Sequence, residues 1–284
     1  AAVGRALDLS GLGEKLRGRR VLLKINLMKG APPEKCINTH PEFVAALTAL
    51  LVDQGCEVHV GDSSGVLGFT DEALAAAGLD RAIRDSGGRV ANLDAGPFRR
   101  VPVEGRVFDA FYLPELLFQV DAVVSVPKLK THTLTGMTGA VKNFVGVLPG
   151  GSKCELHVRA PHPQAVAHAI LDLYSAVRPA GAVVDGVWGL AGQGKGVGPR
   201  PTHAGLVLAG DDCAAVDVVC AEAIGFAPAD LPLARAAVER GVGPASIEDV
   251  EIAGDDLAAH RVTFDRPGFE WKRWRLAART YYKL

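Results

Sequence analysis

The sequence predicts an α/β fold: a mostly parallel sheet with helices on both faces, an added β-hairpin, and a ligand crevice at the carboxyl ends of the strands. Two observations carry this expectation. Short apolar runs bounded by turn and cap residues alternate with segments whose apolar positions recur every three or four residues. Polar residues then gather just past the ends of those apolar runs, at Lys24, Asn26, Asp62, Ser63, Lys128, Asp185 and Asp211.

The elements follow in order. A strand over 21–26 and another over 57–61 flank a helix over 41–54, a β-α-β unit. Thr39 is the expected cap of that helix, Pro41 suits its first turn and Gly55 ends it. Further strands are expected over 89–93, 120–126, 181–185, 205–209 and 247–252, and further helices over 71–77, 163–177, 214–224 and 229–239. Segment 98–113 reads as a hairpin, with Arg100-Val101-Pro102-Val103 and Arg106-Val107-Phe108 around Glu104-Gly105. Residues 188–203, with five glycines, Lys195 and Arg200, read as a long functional loop.

With 284 residues, 48% of them apolar and 22% charged, the chain can bury a sizeable core without staples. Residues 1–265 are expected to form one α/β domain, or two intimately packed lobes, followed by an arm over 266–284. A formal net charge of -1 gives no argument for nucleic acid. Cys36, Cys56, Cys154, Cys213 and Cys220 show no CxxC or ferredoxin-type spacing. Structural zinc or an iron–sulfur cluster is therefore not expected from this chain alone, and scattered thiols suit a reducing compartment. With no apolar run of membrane-spanning length and no signal peptide, the expected location is cytoplasmic. The arm carries Trp271, Trp274, Tyr281 and Tyr282 among Lys272, Arg273, Arg275, Arg279 and Lys283. It is expected to pack on its own domain or on a second copy as a homodimer, the alternative being a basic aromatic surface for membrane or nucleic acid.

The densest polar feature runs from Pro127 to Gly150, PKLKTHTLTGMTGAVKNFVGVLPG. It supplies Lys128, Lys130 and Lys142, the hydroxyls of Thr131, Thr133, Thr135 and Thr138, and His132 and Asn143, with almost no acid to neutralise them. Gly136 and Gly139 would let backbone amides approach a ligand. Lysines, hydroxyls and amides together make a phosphate or carboxylate site, although no GxxxxGK[ST] motif is present. His132 and His157 are the acid–base candidates, with a structural role as the alternative for each. Cys154 is either a nucleophile or a packed thiol. No HxxxH or HExxH spacing supports a metal.

These residues resemble the DUF362 family. The matching pieces are VLLKINLM from Val21, Thr39-His40-Pro41-Glu42, VHVGDSSG from Val58, VPKLKTHTLTGMTGAVKNFVGVLPG from Val126, VVDGVWGLAGQGKGVGP from Val183 and LAGDDCAAVDVVCAEAIG from Leu208. Many relatives carry a further ferredoxin-like domain with two [4Fe–4S] clusters; this chain lacks its cysteine run, so an electron would have to come from another protein. Where Ile25 stands the family pattern usually has Pro. There is also a loose likeness to the nickel-pincer lactate racemases, in that Gly139, Lys142, Pro149 and Gly150 echo their lysine-bearing loop with a longer spacing. It hints at site architecture and does not argue for nickel.

The expected function is an enzyme acting on a small anionic substrate, carboxylated or phosphorylated, by proton transfer or redox chemistry. Lys128, Lys130, Lys142 and the amides of 135–139 would hold the anion, and His132 and His157 would move protons. Lys142 counts among the catalytic candidates. Asn26, Asp62, Asp185 and Asp211 would orient the substrate or a divalent cation. The alternatives are a redox partner or binding protein for a phosphate-bearing cofactor such as a flavin or deazaflavin, and a non-catalytic interaction module using the arm.

Overall fold

The computed structural model describes residues 1–65, 69–192 and 199–267. Two helices, α1 (Ala2–Leu9) and α2 (Leu12–Leu16), lead into β1 (Arg20–Ile25), α3 (Pro41–Asp53) and β2 (Glu57–Asp62). Then come α4 (Thr70–Ala76), α5 (Leu79–Asp85), β3 (Arg89–Asn92), β4 (Phe98–Pro102), β5 (Ala110–Pro114) and α6 (Leu116–Gln119). The second half runs β6 (Ala122–Val126), β7 (Lys128–His132), β8 (Gly136–Thr138), a 3-10 helix (Lys142–Val147), α7 (Gly150–Arg159) and α8 (Pro163–Val177). It closes with β9 (Gly181–Ala191), β10 (Arg200–Gly210), α9 (Cys213–Ala223) and α10 (Pro232–Glu239).

The sheet is mixed but mostly parallel, as expected. Strands β3, β2, β1, β6 and β9 lie side by side and parallel, and β10 runs antiparallel along the outer edge of β9. The buried strands are nearly continuous apolar runs because helices cover both faces: β1 is exposed only at Arg20. One face packs Val21, Leu23, Val58, Val60 and Val124 against α3 and α5. The other packs Leu22, Val123, Ala182 and Val184 against α8 and α9. On α3 the apolar positions Phe43, Val44, Leu47 and Leu51 form one buried stripe, each worth about 1.5–3 kcal/mol when taken from water.

A fork in this sheet positions the site. Over Ala122–Val126 the chain pairs with β1, and after Pro127 its continuation β7 pairs antiparallel with β8. The other flank of β6 and β7 stays parallel to β9 throughout, with β9 bulging between Asp185 and Leu190. Proline has no N–H to give the ladder, while its carbonyl accepts from Asp185 N at 3.0 Å. The sheet therefore opens where β1 ends and β8 begins.

Several expectations need correction. Segment 247–252 is not a strand; Ile247–Asp249 is a 3-10 turn closed by a Ser246/Asp249 capping box. The helix cap at α3 is His40, whose Nδ1 accepts from Glu42 N at 3.3 Å. Thr39 instead ties β1 to β6, donating to the Val126 carbonyl at 2.7 Å and accepting from Asn26 N at 2.8 Å. The hairpin exists as a separate two-stranded sheet, but its second strand is Ala110–Pro114. The stretch 106–108 is loop, because Asp172 draws the amides of Arg106, Val107 and Phe108 out of any ladder. Much of the loop expected over 188–203 is strand, since β9 and β10 extend to Ala191 and from Arg200; residues 193–198 lie outside the described residues. So does the arm beyond residue 267.

Candidate functional site

The floor of the fork is built from two buried ion pairs. Lys24 Nζ lies 2.9 Å from Asp62 Oδ1, and Lys128 Nζ lies 2.7 Å from Asp185 Oδ2. Asp62 is further held by the amides of Leu27 (2.5 Å) and Ser63 (2.7 Å). Burial pulls Lys24 below and Asp62 above their ordinary values, while their mutual attraction opposes both shifts. Asn143 clamps this pair, donating to the Lys24 carbonyl at 2.7 Å and to Ser125 Oγ at 3.1 Å. Gly146 leaves room for it: a Cβ there would stand 2.0 Å from Asp62 Oδ1.

The rim is different. Alternation along β7 puts Lys128, Lys130 and His132 on one face and Leu129 and Thr131 on the other. Lys130 Nζ donates to the Ile37 carbonyl at 3.0 Å. Neither Lys130 nor Lys142 has a carboxylate in ion-pair reach among the described residues; Asp62 and Asp185, the acids of the fork, are taken by Lys24 and Lys128. Burial first, then the positive charge of Lys142, pushes Lys130 down to about 7. Burial and Lys24 push Lys142 down to about 8. His132 is held well below its ordinary value by burial and by Lys142 and Lys130, and His157 falls to about 4 through burial and Lys142. These mutual repulsions show four cationic or basic groups converging on one place. Both histidines are neutral at neutral pH, and His132 Nδ1 accepts from Leu134 N at 3.2 Å.

A third cluster adjoins the floor, and two of its members went unnoticed in the sequence. Lys153 on α7 donates to the carbonyl and Oγ of Ser63, both at 2.5 Å. Asp94, just past β3, lies 2.6 Å from Ser63 Oγ, accepts from Thr70 Oγ1 at 2.5 Å and accepts from Gly150 N at 3.1 Å. Burial lowers Lys153 to about 8. Asp94 could have been found by the rule that singled out Asp62, since each follows a strand. Lys153 carried no such signal.

The glycine-rich turn packs closely on α9. Asp217 on α9 accepts from Ala140 N at 2.5 Å and Val141 N at 3.1 Å, so those amides are spent inside the protein. A Cβ at Gly139 would sit 2.0 Å from Asp217 Oδ1, and one at Gly136 (φ +75°) would meet Leu231 at 2.4 Å. Both glycines serve close packing. Burial raises Asp217 to about 7. Thr135 Oγ1 donates to the Met137 carbonyl at 2.8 Å, and Thr131 Oγ1 is directed to the Leu190 carbonyl at 3.5 Å, so their hydroxyls are also turned inward. Thr138 Oγ1 is buried with no hydrogen-bond partner among the described residues, as are Asn26 Oδ1 and Asp185 Oδ1.

Asp211 does not join the site. Because β10 runs antiparallel, its carboxyl end lies at the opposite end of the sheet, where Asp211 pairs with Lys15 and lines a separate groove of about 530 Å³. A protein-bound divalent cation does not fit the donor set either. The acids that reach the fork face ammonium groups and amides, and among the described residues no three His, Cys, Asp or Glu side chains gather as a metal set.

A forked α/β sheet with lysines gathered at its strand ends defines the class. This chain belongs to the DUF362 family, described as a domain of unknown function, whose model matches residues 21–222. It is similar to a thylakoid-associated protein of Synechocystis sp., with 30% identity over 249 residues that cover 84% of this chain and 74% of the relative. Its fold is similar to that of the lactate racemase apoprotein from Thermoanaerobacterium thermosaccharolyticum, with a TM-score of 0.53 and 13% identity. That match covers 79% of this chain and 55% of the racemase chain, and it speaks for the fold alone. No helix among the described residues is long and apolar enough to cross a membrane.

Proposed function

We propose that this protein is an enzyme acting on a small organic anion, carboxylated or phosphorylated, by proton transfer in the fork. One observation carries the reading: Lys130 and Lys142 sit together at the fork with no ion-pairing carboxylate among the described residues, since Asp62 and Asp185 are committed to Lys24 and Lys128. Uncompensated buried cations are costly, and a bound anion relieves that cost. His157, neutral beside Lys142, would take part in the proton transfer, and the Leu134 amide on Nδ1 fixes the tautomer of His132. The orphaned oxygens Asn26 Oδ1 and Asp185 Oδ1 fit a substrate that also brings a hydrogen-bond donor. A cytoplasmic setting belongs to this proposal, supported by the free state of all five cysteines.

Native mass spectrometry of the freshly purified chain, followed by thermal-shift titration with phosphate and oxalate, tests the reading. Retention of an anion by the wild type, lost in folded Lys142→Ala, supports it. Equal anion binding by the two proteins overturns it.

A further inference from the structure

We propose that Lys130 is an amine nucleophile that forms a Schiff base with a small oxo-acid, an aldehyde or ketone that also carries a carboxylate or phosphate. This rests on the anion-binding reading of the fork and names its substrate class.

The geometry separates Lys130 from its neighbours. Lys24 and Lys128 are locked to carboxylates, and Lys153 is spent on Ser63. Lys130 is 6% exposed and, among the described residues, donates one hydrogen bond, to the Ile37 carbonyl. An ammonium has three protons to place, whereas a neutral amine has two and keeps a lone pair. The groups acting on Lys130 are the cations Lys142, Lys128 and Lys24 and the carboxylate Asp62, which Lys24 and two amides already occupy. The balance leaves a substantial neutral fraction at neutral pH, against about one part in several thousand for an ordinary lysine. A desolvated lysine beside a second cation is the arrangement that activates an amine toward carbonyl carbon.

Lys142 supplies the rest. Lys142 holds the anionic end of the substrate. The Lys130 lone pair adds to the carbonyl carbon, and the carbonyl oxygen takes a proton while the nitrogen loses one, to give a carbinolamine. The hydroxyl then departs as water with a second proton from nitrogen, leaving C=N. The first proton leaves nitrogen for the carbonyl oxygen and the second leaves with the hydroxyl as water, so the step needs no further base. No redox change occurs.

The test treats the full chain with glyoxylate, reduces it with cyanoborohydride and maps the modified lysines by peptide mass. The expected result is labelling at Lys130 about tenfold or more above that at exposed Lys29, half-maximal near pH 7. Excess oxalate should suppress it and Lys130→Arg should abolish it. Labelling confined to exposed lysines, or a Lys130 profile in the ordinary lysine range, overturns the proposal. Should Lys130→Arg fail to fold, the wild-type site map and pH profile still decide. Oxalate stabilisation without Lys130 labelling sinks the nucleophile and spares the anion site; neither stabilisation nor labelling sinks both.

Discussion

Lysines on the floor of the fork and lysines on its rim are the same residue type a few residues apart, yet they do different work. Lys24 and Lys128 each face a buried carboxylate. Lys130 and Lys142 face one another and two neutral histidines. A buried ion pair holds strands together and is indifferent to solutes. A desolvated cation without its pair is costly, and the proposed anion would offset that cost. The difference lies in which lysine reached a carboxylate first, a matter of strand register that counting charges does not show.

That contrast can be broken in graded steps. Lys24→Ala strands Asp62 beside the Gly146 backbone and should cost about 3–5 kcal/mol in urea unfolding; a cost below about 1 kcal/mol would erase the distinction between floor and rim. Asp217→Ala leaves the Ala140 and Val141 amides unpaired and should cost about 1–3 kcal/mol for each. Lys142→Ala should leave the melting temperature unchanged or raise it, since it removes a like charge beside Lys130, while weakening anion binding about ten- to a hundredfold in calorimetry.

The smallest effect concerns pH. The folded values of Lys130 and Lys142, about 7 and about 8, lie below the ordinary 10.5, so between those limits the unfolded chain holds more protons. The contribution of these two lysines to stability therefore rises with pH from about 7 into the ordinary lysine range. On the proposed reading, anion affinity should run the other way, falling as pH climbs through 7 to 8. Melting curves with and without phosphate across that range should diverge at the acidic end and converge at the alkaline end, and Lys130→Met should flatten both trends.

Much of the frame was legible because apolar runs report burial. The strands at Arg20–Ile25, Glu57–Asp62 and Arg89–Asn92 and the helix at Pro41–Asp53 stand within a residue or so of expectation. Direction was not legible. An apolar run reads alike both ways, so β10 could not announce that it runs antiparallel and carries Asp211 away. Strand β7 was hidden by its lysines, although Lys128-Leu129-Lys130-Thr131-His132 does alternate with period two. Pairing was the other gap: that Asp62 belongs to Lys24 and Asp185 to Lys128 depends on register and on where Pro127 turns the chain. Asp217 had a signal of its own, a single acid within the apolar face AAVDVVC.

The fork at Pro127 has a consequence for how this frame can change. Its opening is set by backbone pairing, with β6 on β1 before the proline and β7 on β8 after it. Rim side chains hang from that opening without defining it. Exchanging Lys130 or His132 for other groups would then alter the proposed chemistry while the backbone pairing stays in place, so inheritance of the fork and inheritance of the proposed reaction are separable in this architecture. A set of rim variants that keep the wild-type hydrogen-exchange pattern along β6 and β9 while losing anion binding would display that separation directly.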